Sequence, residues 1–354
     1  MEYHVSRARR PTVPEGFRLI KLYDAAREDG HEPAPELDSY RNGEHLGFNH
    51  AYNGPGGLIC SIRRRNRGES IMVSALAAQT AHEQFIASTD GLKIHVRMWR
   101  PSSPHAVVVI CHGVNSHGGQ YVWAGEQFAN AGFATYALDL RGRGRSEGER
   151  FYVEDIEDYV NDVSSTLALA TSHYPRLPVF LLGHSAGGVV SATYVLEHQT
   201  QLTGFICESF AFQVPAPGFA LSAIKGLSHI APRLPVLKLK NEDFSRDPEA
   251  VKLLNSDPLT AHEVQPALTV AALVRADERL RKEFPLITIP VLIMHGTDDK
   301  ATVCHGSEFF YETVGSKDKT IKLYDGHYHD LLNDIGKEQV MSDITDWIDR
   351  HVST

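Results

Sequence analysis

Cysteine is scarce in this 354-residue chain: there are four, Cys60, Cys111, Cys207 and Cys304, spread far apart and forming no C-x-x-C pair. Cys111 and Cys207 sit in apolar, strand-like runs, so buried thiols are expected rather than disulfides. Free thiols favour a reducing compartment, and a cytoplasmic location is the expectation. Long apolar runs are also missing. None approaches the roughly 20 residues that cross a bilayer, which leaves transient contact with a lipid surface as the expected limit of membrane association. Met1 to Pro14 is charged and proline-bearing, without the apolar stretch of a signal peptide. Positive charge is in deficit, with 35 Lys and Arg against 44 Asp and Glu and a formal net charge of -9, which argues against a general nucleic-acid binder.

Metal and nucleotide signatures are lacking as well. Nineteen histidines invite a metal reading, but no H-E-x-x-H and no Cys/His pairing is present, so no metal and no cofactor are expected. His117, His173 and His198 read as surface or satisfied core residues. Asp139-Leu140-Arg141-Gly142-Arg143-Gly144-Arg145-Ser146 is glycine-rich after a strand. It lacks the third glycine of a dinucleotide fingerprint and the lysine of a P-loop, so a tight turn is expected there. No internal repeat or low-complexity tract interrupts the chain. With 42% hydrophobic and 22% charged residues, it is a globular protein with a large core.

What is present centres on Gly183-His184-Ser185-Ala186-Gly187. The apolar run Pro178 to Leu182 before it suits a buried strand, and Gly188 to Leu196 after it continues as a packed helix. Strand, G-x-S-x-G and helix describe a nucleophile elbow, a tight turn that exposes the serine hydroxyl at a sheet edge. Such a fold places its triad in the order Ser, acid, His. Downstream, Ile289 to Met294 reads as a strand running into His295-Gly296-Thr297-Asp298-Asp299. Thr320 to Tyr324 reads as a strand running into Asp325-Gly326-His327-Tyr328-His329. Spacing separates neither Asp298 from Asp299 nor His327 from His329.

A serine at its ordinary pKa needs an adjacent base, which takes the hydroxyl proton and returns it to the leaving group. The oxyanion that forms needs backbone N–H donors. Ala186, just after the nucleophile, is one; the loop His112-Gly113-Val114-Asn115 should supply the other, with Val114 the best candidate.

The rest of the chain supports an α/β fold. His82 to Ser88 and Leu92 to Arg100 alternate around Thr89-Asp90-Gly91 as a hairpin. Ala106 to Cys111, Ala134 to Leu138 and Phe205 to Cys207 read as buried parallel strands. Tyr121 to Ala131 and Glu154 to Ser172 carry helical spacing between strands. The result is a mostly parallel, doubly wound sheet with ligands at the carboxyl ends of its strands. Residues 1–82 form an N-terminal extension with Pro11, Pro14, Pro33, Pro35 and Pro55 and the basic run Arg63 to Arg67. A solvated, partly irregular arm is expected there, with a homo-oligomer contact or an anionic-surface patch as the sharper alternatives. Ile71 to Ala81 is read as a helix. The hydrolase core then spans residues 83–214 and 285–354. The alternation stops over residues 215–284, where Ala220, Ala223, Leu227 and Ile230 give one helical stripe and Leu268 to Phe284 another. An inserted helical cap is expected, most of its apolar faces packing on the core and some lining an acyl-sized pocket.

These residues together resemble the monoacylglycerol lipase and lysophospholipase-like branch of the α/β-hydrolases, also grouped with the serine aminopeptidases. The matches are His112-Gly113 with Tyr121, Gly142 to Arg150, Leu177 to Gly188, Asn255-Ser256-Asp257-Pro258-Leu259, His295 to Asp299, and Tyr324 to His329. The resemblance covers residues 83–354. It implies Asp299 as the acid and His329 as the base beside Ser185, and a serine hydrolase of carboxylic esters with an apolar acyl chain, acting on a small-molecule ester under a mobile cap. Where the family carries Glu, Arg and a second His for the glycerol hydroxyls, this chain has Ser116, Gln120 and Leu332. A less polar alcohol than glycerol, or another ester altogether, is therefore expected. An acyltransferase or thioesterase with the same triad is the alternative, and a non-catalytic binding module the remote one.

Overall fold

The computed structural model describes residues 81–352 in full and, ahead of them, the backbone of four strands within residues 39–75. The chain divides into two compact units, residues 1–78 and 79–354. In the first, β1 (Ser39–Arg41), β2 (Glu44–Gly54), β3 (Gly57–Arg64) and β4 (Ser70–Ala75) form an antiparallel sheet in sequence order. Regular strands thus occupy part of the stretch expected to be a solvated, partly irregular arm. The last of them corrects the helix expected over Ile71 to Ala81. Ile71 and Val73 are β-branched, which disfavours a helix, and they pair in register with Ile62 and Cys60 of β3. Residues 1–38 and 76–80, on which part of the same expectations falls, lie outside the described residues.

The second unit opens with the expected hairpin, β5 (His82–Ala87) and β6 (Lys93–Trp99). Its turn is closed by the Gly91 amide on the Ser88 carbonyl, with Gly91 at φ 89°. Next come β7 (Ala106–Cys111), α1 (Val122–Asn130), β8 (Phe133–Leu138), α2 (Ile156–His173), β9 (Val179–His184), α3 (Ala186–His198) and β10 (Gly204–Glu208). A long segment follows with α4 (Gly218–Ser228), β11 (Pro235–Leu237), α5 (Pro248–Ser256), β12 (Gln265–Pro266) and α6 (Ala267–Glu283). The chain then returns to the sheet through β13 (Val291–Gly296), α7 (Cys304–Thr313), β14 (Lys319–Tyr324) and α8 (Lys337–Val352).

The large sheet runs β14-β13-β10-β9-β7-β8-β6-β5. From β14 to β8 every pairing is parallel, and β6 and β5 join antiparallel at one edge. The unbroken apolar runs of β7 and β9 follow from burial on both faces. Val107, Val109 and Cys111 pack with α2 and α3 on one side, whereas Ala106, Val108 and Ile110 pack with α1 and α8 on the other. This is the α/β-hydrolase architecture, and it aims the carboxyl ends of β7, β9, β10 and β13 at one place.

The stripe on α4 behaves differently from the expectation that most of it packs on the core. Ala223 and Ile230 are exposed, as is Phe219. By contrast α6 buries Ala267, Val270, Ala271, Ala272, Ala276 and Leu280.

Candidate active site

Ser185 stands at the turn from β9 into α3, with φ 57° and ψ -122°. A non-glycine residue at positive φ costs about 1–3 kcal/mol and persists only where its surroundings dictate it. Here the flanking glycines allow the close packing that dictates it. A Cβ at Gly183 would lie 2.6 Å from Ser191 Oγ and 2.7 Å from the Gly187 carbonyl. One at Gly187 would run into the carbonyl oxygens of Cys111 and His112. The Ser185 amide is fixed on the Glu208 carbonyl at 2.9 Å.

The hydroxyl Oγ of Ser185 lies 2.8 Å from His329 Nε2, and His329 Nδ1 lies 2.8 Å from Asp299 Oδ2. The structure thus brings together three groups spread over 145 positions of sequence. Asp298 and His327, the spare members of each pair, are not among them. Asp298 is exposed. The His327 ring faces Asp334, 3.8 Å away, and lies against Gly336.

Asp299 is held from several sides. Its Oδ1 accepts the amides of Ala301 and Thr302 at 2.8 and 2.9 Å, and its Oδ2 accepts the Thr302 hydroxyl at 2.7 Å. His295 Nε2 lies 3.0 Å from Oδ2. Burial alone would raise this carboxyl, but the neighbouring His329 and His295 outweigh it and hold the group well below the usual carboxylate range. The acid is therefore ionised at any working pH. His295 is itself fixed through Nδ1 to Ser307 Oγ at 2.7 Å. Sequence alone gave His295 no role beyond its place in the H-G turn, because a supporting contact from the same loop has no spacing signature.

Of the two oxyanion donors expected, Ala186 directly follows the serine and Val114 belongs to the loop that Gly113 brings against it. Ala186 is the first residue of α3, so its N–H has no partner within the helix. Val114 follows Gly113, where a Cβ would lie 2.8 Å from Ser185 Cβ. A side chain at Gly113 would push this loop off the nucleophile. His112 braces the loop: its Nε2 accepts the Leu140 amide at 3.0 Å, which leaves Nδ1 to donate to the Gly113 carbonyl at 2.7 Å. Burial, with Arg143 adding to it, pushes His112 down to about 3 and keeps the ring neutral.

The site is closed over. Ser185 is 3% exposed and His329 is fully buried, with the Phe244 ring edge-on to the imidazole at 5.0 Å. Phe244 belongs to the segment between β10 and β13. The three positions that differ from the resembled family are taken up by other contacts or by burial. Gln120 spends its amide on Asp257 at 3.2 Å, Ser116 is buried, and Leu332 donates its backbone amide to Glu208 Oε1 at 3.2 Å.

Fold and site define a serine hydrolase of the α/β-hydrolase class. Residues 102–336 match the family described as serine aminopeptidase, S33. The chain is 31% identical over 280 residues to a monoacylglycerol lipase of Mycolicibacterium smegmatis, covering 78% of this chain and all of that one. It is 33% identical over 242 residues to caffeoylshikimate esterase of Arabidopsis thaliana, covering 64% and 71% respectively. The crystal structure of the Paleococcus ferrophilus monoacylglycerol lipase superposes with a TM-score of 0.66 at 30% identity, covering 73% of this chain and 99% of that one. The chain belongs to this family, as a monoacylglycerol lipase-like α/β-hydrolase.

Proposed function

We propose that this chain hydrolyses carboxylic esters through an acyl-enzyme on Ser185. His329 Nε2 removes the hydroxyl proton as Oγ attacks the ester carbonyl. The amides of Val114 and Ala186 receive the developing oxyanion. The imidazolium then gives the proton to the departing alkoxide, and Asp299 offsets its charge and fixes its tautomer. A water activated by the same histidine releases the acid. The observation that carries this reading is the 2.8 Å approach of Ser185 Oγ to His329 Nε2, backed by an ionised acid 2.8 Å behind the ring.

The segment 215–284 is read as a cap. Phe219, Ile230, Leu237 and Leu253 are exposed on it, which supports brief contact with a lipid surface while an ester with an apolar chain enters. The names of the relatives, lipases and an esterase, favour hydrolysis over acyl transfer. With Ser116, Gln120 and Leu332 where glycerol-binding side chains are expected, the alcohol is less polar than glycerol. The esterase relative, named for a caffeoylshikimate ester, fits a family that accepts other leaving groups.

The test is covalent labelling with a fluorophosphonate, read by intact mass. One adduct on the native chain and none on Ser185→Ala is expected. The variant should lose roughly 10⁶ of the rate on a p-nitrophenyl ester. An unlabelled native chain overturns the proposal.

A further inference from the structure

Behind the catalytic pair lies a second cluster that the ester chemistry does not use. His184, Glu208 and Asp330 come from the end of β9, the end of β10 and the loop after β14, and are 1%, 0% and 4% exposed. Each offers a ligand atom within 4.8 Å of those of the other two. Each also has one buried atom without a hydrogen-bond partner: His184 Nε2, Glu208 Oε2 and Asp330 Oδ1. A buried polar atom left unmade costs about 1–3 kcal/mol, so three in one place call for an occupant.

The other atom of each side chain is anchored. His184 Nδ1 is 3.1 Å from the Tyr121 hydroxyl, Glu208 Oε1 accepts the Leu332 amide at 3.2 Å, and Asp330 Oδ2 accepts Asn333 Nδ2 at 3.0 Å. Each of the three side chains is thus held by a partner outside the set, which is how proteins orient metal ligands. One nitrogen and two carboxylate oxygens suit a first-row divalent cation such as Zn²⁺.

We propose that His184, Glu208 and Asp330 form a structural site for one divalent metal ion. Two carboxylates and a neutral imidazole balance a +2 charge. Without a cation, the two acids can be buried together only by holding a proton. The ion would join the strand that carries the nucleophile to the loop that carries the base, since His184 precedes Ser185 and Asp330 follows His329. It takes no part in the ester reaction. The ligands stand at positions 184, 208 and 330, so no spacing motif announces them, and the expectation of no metal rested on such motifs. The inference is independent of the proposed function.

The experiment uses the full chain, stripped by chelator dialysis and then titrated with Zn²⁺ and, separately, Mn²⁺. Bound metal is read by plasma mass spectrometry after desalting, and Tm by calorimetry. About one equivalent per chain is expected, with Tm rising on the order of 5 °C at saturation. Glu208→Gln and Asp330→Asn should each lose the bound equivalent while keeping the side-chain volume. If neither variant folds, the titration of the native chain still decides. A native chain that retains well under one equivalent and shows no Tm shift with either metal overturns the proposal. That outcome assigns the space to a water and a shared proton. Retention of the full equivalent in both folded variants overturns it too, because the ion then sits elsewhere. Fluorophosphonate labelling of Ser185 in the same samples reports separately on the hydrolase reading.

Discussion

The amide of Asn115 donates to Glu263 Oε1 across 2.8 Å, although 148 positions separate the two residues. Asn115 is at φ 54° and directly follows Val114, the proposed oxyanion donor. A carboxylate from the segment between β10 and β13 therefore fixes the peptide on which that donor depends. The same oxygen accepts Arg143 Nη1 and, at 2.6 Å, Gln265 Nε2. Glu263→Ala deprives buried Arg143 of its counter-ion, which typically costs about 3–5 kcal/mol. It also frees the loop. We expect a lower Tm and a kcat reduced about 10- to 100-fold, with KM little changed, since the loss falls on the transition state. An unchanged kcat in a folded variant would show that the loop holds its shape unaided.

The choice between adjacent carboxylates predicts an asymmetric pair of variants. Asp299→Asn keeps the shape but reverses the hydrogen-bond preference at His329 Nδ1, so turnover should fall about 10³- to 10⁴-fold. Asp298→Asn, at an exposed site, should change it less than about threefold, within the usual range for surface substitutions. Steady-state kinetics on one ester would check both, and the opposite ranking would reassign the acid.

Much of this was legible in the sequence because the signals are local. The elbow is five consecutive residues, the hairpin turn is three, and β7 and β9 announce themselves as unbroken apolar runs. The order serine, acid, histidine pointed to the loops that carry the acid and the base, and the family resemblance chose Asp299 and His329 within them. What stayed hidden depends on contacts across the fold. Arg143 looked like part of a glycine-rich turn, and only its pairing with Glu263 shows why a cation is buried there. The strand at Ser70–Ala75 was misjudged because its pairing with β3 outweighs the alanine-rich stretch that follows it. The α4 stripe had the period of a buried face, yet part of it stands in solvent. Period alone gives a helix face but not what covers it.

Asp299 also predicts how stability responds to acid. Its carboxyl is depressed in the folded chain relative to an ordinary value near 3.9 in the unfolded one. The unfolded state therefore binds a proton more readily. The stabilising contribution is complete above the unfolded pKa and is lost as pH falls below about 4 toward the folded value. Urea titrations from pH 7 down to 3 should show a falling midpoint at the acid end, and Asp299→Asn should flatten that limb. An unaltered acid limb in the variant would mean that other carboxylates dominate it.

Two glycines that look alike in sequence should respond oppositely to a methyl group. Gly187 lies in the elbow, and its added Cβ would meet the backbone carbonyls of Cys111 and His112, which cannot rotate away. Gly187→Ala must therefore shift α3 against β7, at the cost of overpacking, about 1–3 kcal/mol or more. The same shift displaces the Ala186 amide, so activity should fall with Tm. Gly226 sits in α4 with nothing within 4 Å of its added Cβ. There Gly226→Ala removes only the entropic penalty of a helical glycine and should stabilise by roughly 0.5–1 kcal/mol. Thermal melts of the two variants, alongside p-nitrophenyl ester turnover, would check the contrast. Equal effects at both sites would mean that the close packing around the elbow is not what holds Ser185 in its positive-φ turn.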